Sequence, residues 1–205
     1  IPRPPPRVDR LTLRPPAWSA SGALPLTDPR LLAAATFTSV TVGNWFDGPV
    51  TLRGRGPARA VGIEVRGGTL DLAKATFGGG RGGGGSGQSG PISVVLDRLA
   101  IADRLALTGF KGEFDTSGGF SGNFSGNFNG AAPVRGVVTP SGGRSAVRIV
   151  GDDAGAVLRA GGFLEGASGG NLDLTLMPAG AAGSFDGTLA IRSLRVRDAP
   201  GIAAS

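Results

Sequence analysis

The chain has 205 residues and a net charge of +6, with ordinary hydrophobic (40%) and charged (18%) shares but neither His nor Cys. That length suits one domain or two small ones and is enough to bury a core. Lacking both residue types removes the commonest general base, the usual zinc ligand sets, and all disulfide and thiolate chemistry.

Residues 1–35 are dense in proline (Pro2, Pro4, Pro5, Pro6, Pro15, Pro16, Pro25, Pro29). Proline cannot donate to a ladder, so this is an extended opening segment with at most the short strand Arg10–Arg14. Asp28-Pro29 has the form of an N-cap and first helical position, predicting a brief helical turn over Arg30–Ala35. Residues 36–77 turn to β-branched and apolar runs with period two: Phe37, Val40, Val42; Val50, Leu52; Val61, Ile63, Val65; Leu70, Leu72. Alternation of this kind marks half-buried strands. Residues 78–90 are almost wholly glycine and serine around Arg81. They offer no side chain to offset the entropy of ordering, so a flexible loop between strands is expected.

Residues 91–200 resume the strand pattern with Ile92, Val94, Leu96, then Leu99, Ile101, then Leu105, Leu107. The run Phe120–Asn129 is the most informative. As a strand it puts Phe120, Gly122, Phe124, Gly126 and Phe128 on one face, with Ser121, Asn123, Ser125, Asn127 and Asn129 on the other. Further strands are predicted at Val134–Thr139, Ser145–Val150, Leu172–Met177, Ser184–Arg192 and Leu194–Arg197. Asp152 or Asp153 caps a helix over Ala154–Ala160, which Gly161-Gly162 ends. Many short strands with tight turns and almost no helix imply a mainly β fold: an antiparallel meander curled into a groove-like twisted sheet, with one or two short helices. Parallel pairing is not expected, because crossover helices are missing. Residues 201–205 read as a truncated end, and the chain as an excerpt whose membrane anchor lies elsewhere.

No site chemistry emerges. No Gly-x-Ser-x-Gly elbow accompanies a base, and no Gly-Lys-Ser/Thr follows the glycine tract. A lone Arg81 without aromatics is not an RNA-binding repeat, and the scattered arginines form no stripe. The chain is therefore expected to be no enzyme, with no cofactor, metal or nucleic-acid partner. The phenylalanine stripe leaves two readings open. It is either ordinary core, or an apolar surface whose intervening glycines leave shallow grooves for flexible chains.

Three stretches carry a resemblance: Gly151–Gly161 (Gly-Asp-Asp-Ala-Gly-Ala-Val-Leu-Arg-Ala-Gly), Gly166–Leu176 (Gly-Ala-Ser-Gly-Gly-Asn-Leu-Asp-Leu-Thr-Leu) and Phe185–Pro200, ending Arg-Val-Arg-Asp-Ala-Pro. In this order they resemble the AsmA-like C-terminal region of the YhdP, AsmA and TamB envelope proteins, most clearly over residues 118–200. The motifs mark a fold, not a catalytic site. The resemblance implies a periplasmic protein of Gram-negative bacteria, anchored in the inner membrane, whose β-groove supports phospholipid movement toward the outer membrane. It implies phospholipid and envelope proteins as partners. The acyl-chain residues would be Phe110, Phe114, Phe120, Phe124, Phe128, Leu172, Leu174, Leu176, Leu189 and Ile191. The alternative is a structural or assembly scaffold of the envelope that touches no lipid.

Overall fold

A computed structural model describes residues 7–13, 18–25, 34–55, 61–75, 90–180 and 184–197. The first half contains β1 (Arg7–Leu13), β2 (Trp18–Pro25), β3 (Ala34–Val42), β4 (Phe46–Arg53), β5 (Gly62–Arg66) and β6 (Thr69–Asp71). After the glycine tract come β7 (Pro91–Ala102), β8 (Leu105–Asp115), β9 (Ser121–Phe128), β10 (Ala132–Ser141) and β11 (Arg144–Gly151). The chain ends with α1 (Ala154–Ala160), β12 (Ala167–Ser168), β13 (Asn171–Pro178), β14 (Phe185–Arg192) and β15 (Arg195–Val196).

Thirteen of these strands form one open sheet in the order β1-β2-β3-β4-β5-β7-β8-β9-β10-β11-β13-β14, with β6 beside β4 and β7. The sheet does not close into a barrel: β1 and β14 are its two edges. The mainly β, groove-like meander expected from alternation is the observed fold. Tight hairpins make it. At the β10–β11 turn Gly142 and Gly143 both have positive φ (56° and 76°), as a two-residue turn matched to strand twist requires.

Three expectations are corrected. β7 runs parallel to both β5 and β6. β5 and β6 are two short pieces broken at Gly67-Gly68, both with positive φ (98° and 90°). A parallel return needs reach rather than a helix. From Asp71, opposite Ala100, back to Pro91 is about 30 Å along the ladder. Residues 72–90 could stretch about 60 Å. Of that connection, 76–89 lie outside the described residues, so the loop expected at 78–90 is not observed. Second, Ala34 and Ala35 belong to β3, where Ala35 pairs with Leu52 and is buried; the rest of the expected helical turn at 30–35 lies outside the described residues. Ladder pairing there outweighs a cap signal. Third, the strand at 194–197 leaves the main sheet: β15 pairs with β12 in a separate two-stranded ribbon.

Helix α1 matches its predicted bounds, and its first-turn donors are all used. Asp153 Oδ1 accepts from Ala156 N at 2.8 Å, while Ala154 N and Gly155 N donate to the carbonyls of Gly170 (2.7 Å) and Gly169 (2.8 Å). Ala154 and Val157 pack with Ala132, Val134 and Leu172, so the helix covers one end of the sheet face. A Cβ on Gly155 would sit 2.4 Å from Ser168 Cα, so only glycine allows this close helix–ribbon approach.

Candidate apolar binding face

Antiparallel or parallel, residues paired across a ladder point to the same side. One register row can therefore be followed through the main sheet. It opens with Phe37–Val50 in β3 and β4. It continues Val65–Val94–Gly112–Phe124 through β5, β7, β8 and β9. It finishes Gly136–Ile149–Leu174–Leu189 in β10, β11, β13 and β14. Every position is apolar. The next row on that face repeats the result, from Ala35, Leu52 and Ile63 through Ile92 and Phe114 to Val147, Leu176 and Gly187.

From β3 to β14, the row between them, on the opposite face, is polar apart from Val137. It runs Thr36–Thr51–Glu64–Ser93–Glu113–Asn123, then Arg148–Thr175–Thr188. Cross-strand partners stitch this side. Ser93 Oγ donates to Glu113 at 2.6 Å, and Arg148 grips both oxygens of Asp173 at 2.9 and 2.6 Å. Glu64 accepts from Arg53 and Arg66. These partners hold the Glu64 and Asp173 carboxyls below their ordinary values, the hydrogen bonds to Arg53 and Arg148 contributing most respectively.

Nine of the ten residues expected to contact acyl chains lie on strands of the apolar face; Phe120 precedes β9 instead of opening it. Its ring nevertheless stacks on Phe114 at 4.8 Å, and Phe110 stacks on Phe124 at 5.6 Å. The expected grooves between the phenylalanines are corrected. A Cβ on Gly136 would lie 2.0 Å from Phe124 Cζ, and one on Gly122 would lie 2.6 Å from Phe114 Cδ1. The rings of one strand fill the glycine gaps of the next, so this part of the face is a smooth aromatic floor. Burial varies along the strands: Leu96, Leu107 and Phe110 are buried, whereas Phe120, Phe185 and Leu189 are 41%, 47% and 52% exposed.

Apart from α1 at one end, no described element forms a second layer over this face: the strands contact their ladder neighbours. Two features escaped sequence reading. The first half of the face (Phe46, Val65, Leu70) joins the same core cluster as the phenylalanine stripe. Asn129, at φ 46°, uses its side-chain amide to tie three elements. It accepts from Ala106 N (2.9 Å) and donates to Arg104 O (2.8 Å) and Ala160 O (2.7 Å). The Asn129-Gly130 pair signals the turn but not the bonds.

On the polar side an open cleft of about 440 Å³ lies by the β3–β4 turn, lined by Trp45, Asp47, Asp71, Lys74 and Arg98 among others. Within it Lys74 pairs with Asp71 at 2.8 Å. Among the described residues no helix is long and apolar enough to cross a membrane, and no cluster of acidic groups is placed to hold a metal. Fold and face together define an open β-sheet with one continuous apolar side. No protein-family model matches the chain, and no curated protein or solved structure is significantly similar to it.

Proposed function

We propose that this chain is a periplasmic segment of an AsmA-like envelope protein, which holds phospholipid acyl chains on its apolar face and supports lipid transfer between the inner and outer membranes. The observation that carries the reading is the unbroken apolar row from Phe37 in β3 to Leu189 in β14, one residue from each strand along that stretch of the main sheet's path. A sheet folded only for stability covers such a side with a second layer. Here the described residues provide one short helix at one end. Acyl chains are long, flexible and need no hydrogen-bond partner, so a strip without polar groups suits them. The resemblance of residues 118–200 to AsmA-like proteins supplies the compartment, the inner-membrane anchor and the envelope partners.

A scaffold reading is favoured by a different observation: rings of the stripe already occupy its glycine gaps. The two differ in who touches lipid. A photo-crosslinking residue at Phe124 or Leu174, on the apolar side, should form adducts with dispersed phospholipid. The same residue at Asn123 or Thr175, one step along each strand and on the other side, should not. Equal labelling on both sides, or none at Leu174 in a folded chain, sinks the conduit and leaves the scaffold.

A further inference from the structure

The two edges of the sheet are built differently. β1 has a register irregularity between Val8 and Leu11, and its seven residues include Arg7, Asp9 and Arg10. Bulges and charges are how sheets prevent further strands from adding. β14 has neither bulge nor proline: its eight residues pair with β13 in unbroken register, and no described strand pairs with its other side. Seven of the eight are exposed, on both faces of the sheet.

The phase of its hydrogen bonds follows from the hairpin. Ala179 N donates to Ser184 O at 3.0 Å, which makes that pair, and every second pair beyond it, a bonded one. Residues 186, 188, 190 and 192 thus turn their backbone groups toward β13. Phe185, Gly187, Leu189 and Ile191 turn theirs outward.

We propose that β14 is a pairing edge for the β14 of a second copy of this chain, antiparallel and centred on Leu189. Two-fold symmetry makes each contact reciprocal. With Leu189 opposite Leu189 of the other copy, Gly187 faces Ile191 and Asp186 faces Arg192, each twice. The ion pairs fall on the polar face of the sheet and Leu189 on the apolar face, so both faces continue in kind across the junction. The outward backbone groups of residues 187, 189 and 191 pair with one another. Among the described strands of the main sheet, such a pair leaves only the blunted β1 edges outside, so growth of that sheet stops at two copies. This holds whether or not the apolar face carries lipid.

Sedimentation equilibrium of the 205-residue chain should show a monomer–dimer equilibrium. Asp186→Arg or Arg192→Asp alone puts like charges opposite each other twice and should weaken the dimer about tenfold or more, while the double variant restores it. The chain has no Cys, so Leu189→Cys introduces its only thiol. Under mild oxidation it should give disulfide-linked dimers well before Thr188→Cys, whose symmetry mate lies further off, or Thr38→Cys on β3. A chain that stays monomeric up to about 1 mM overturns the proposal. So does a dimer indifferent to the charge reversals, or one in which Thr188→Cys links first.

Discussion

Gly136 shows how a missing side chain can be a packing requirement. Phe124 lies over it, so adding a methyl group puts a carbon inside the ring's own volume. Gly136→Ala is expected to destabilise the chain by about 1–3 kcal/mol through overpacking. Gly118→Ala, where nothing lies within 4 Å, should be neutral or stabilise by up to about 1 kcal/mol. Denaturant melts of the two variants check this, and equal effects would mean the ring can move aside at no cost. At the same scale, the Glu64, Asp71, Asp115 and Asp173 carboxyls are all held below their ordinary values, by Arg53, Lys74, Ser117 and Arg148 foremost. A carboxyl depressed in the folded chain adds stability above its unfolded value, and that stability is lost as pH falls through the folded one. The melting temperature should therefore decline on acidification below the ordinary values of 4.5 for Glu64 and 3.8 for the aspartates. With no His in the chain, no side chain of ordinary pKa titrates between about pH 6 and 8. Asp173→Asn should reduce the acid loss; an unchanged profile in that variant would remove the Arg148 pair as a cause.

The helix separates two neighbouring aspartates that look alike in sequence. Asp153 caps α1 through Ala156 N at 2.8 Å, whereas Asp152 makes an ion pair with Arg135 at 3.0 Å in which both side chains are mostly exposed. Asp153→Ala should cost about 0.5–2 kcal/mol and Asp152→Ala close to nothing, as read from denaturant midpoints. Comparable losses at both would show that Asp152 does more than its geometry suggests. Elements set by local chemistry were legible: an Asp-capped alanine stretch ending in Gly-Gly, and alternation in β9, β10, β11 and β13. What local signals cannot carry is partner choice. β5 and β7 alternate like any antiparallel strands, and only the reach of residues 72–90 lets them run parallel. Likewise, the stripe Phe124-x-Gly126 announces its face, but the ring positions depend on Gly136 in the next strand, fixed by register alone. Ala34 and Ala35 went to a strand because Leu52 and Arg53 lay waiting opposite them.

Across the whole molecule, burial on the apolar side runs from closed to open, and stability and ligand response should follow it. Leu96 is 2% exposed in a central strand, while Leu189 on the edge is 52% exposed. Leu96→Ala should cost about 2–5 kcal/mol, and Leu189→Ala no more than about 0.5 kcal/mol. Leu174 lies between these extremes, half-buried on the apolar row that runs from β3 to β14, beside Thr175 on the polar side. A carboxylate placed at 174 remains partly hydrated when the face is bare but meets hydrocarbon when it is covered. If the face holds acyl chains, dispersed phospholipid at about a hundredfold excess over its dissociation constant should stabilise the chain by about 2.7 kcal/mol, raising its melting temperature. Leu174→Asp should abolish that rise while the lipid-free variant still unfolds cooperatively, and Thr175→Asp should preserve it. If the face is instead filled by its own side chains, lipid shifts nothing in the parent chain and Leu174→Asp unfolds it outright. At the same residue one outcome is a folded chain that no longer responds to lipid and the other an unfolded chain, so melts with and without lipid decide between a surface that carries lipid and one that only holds the sheet together.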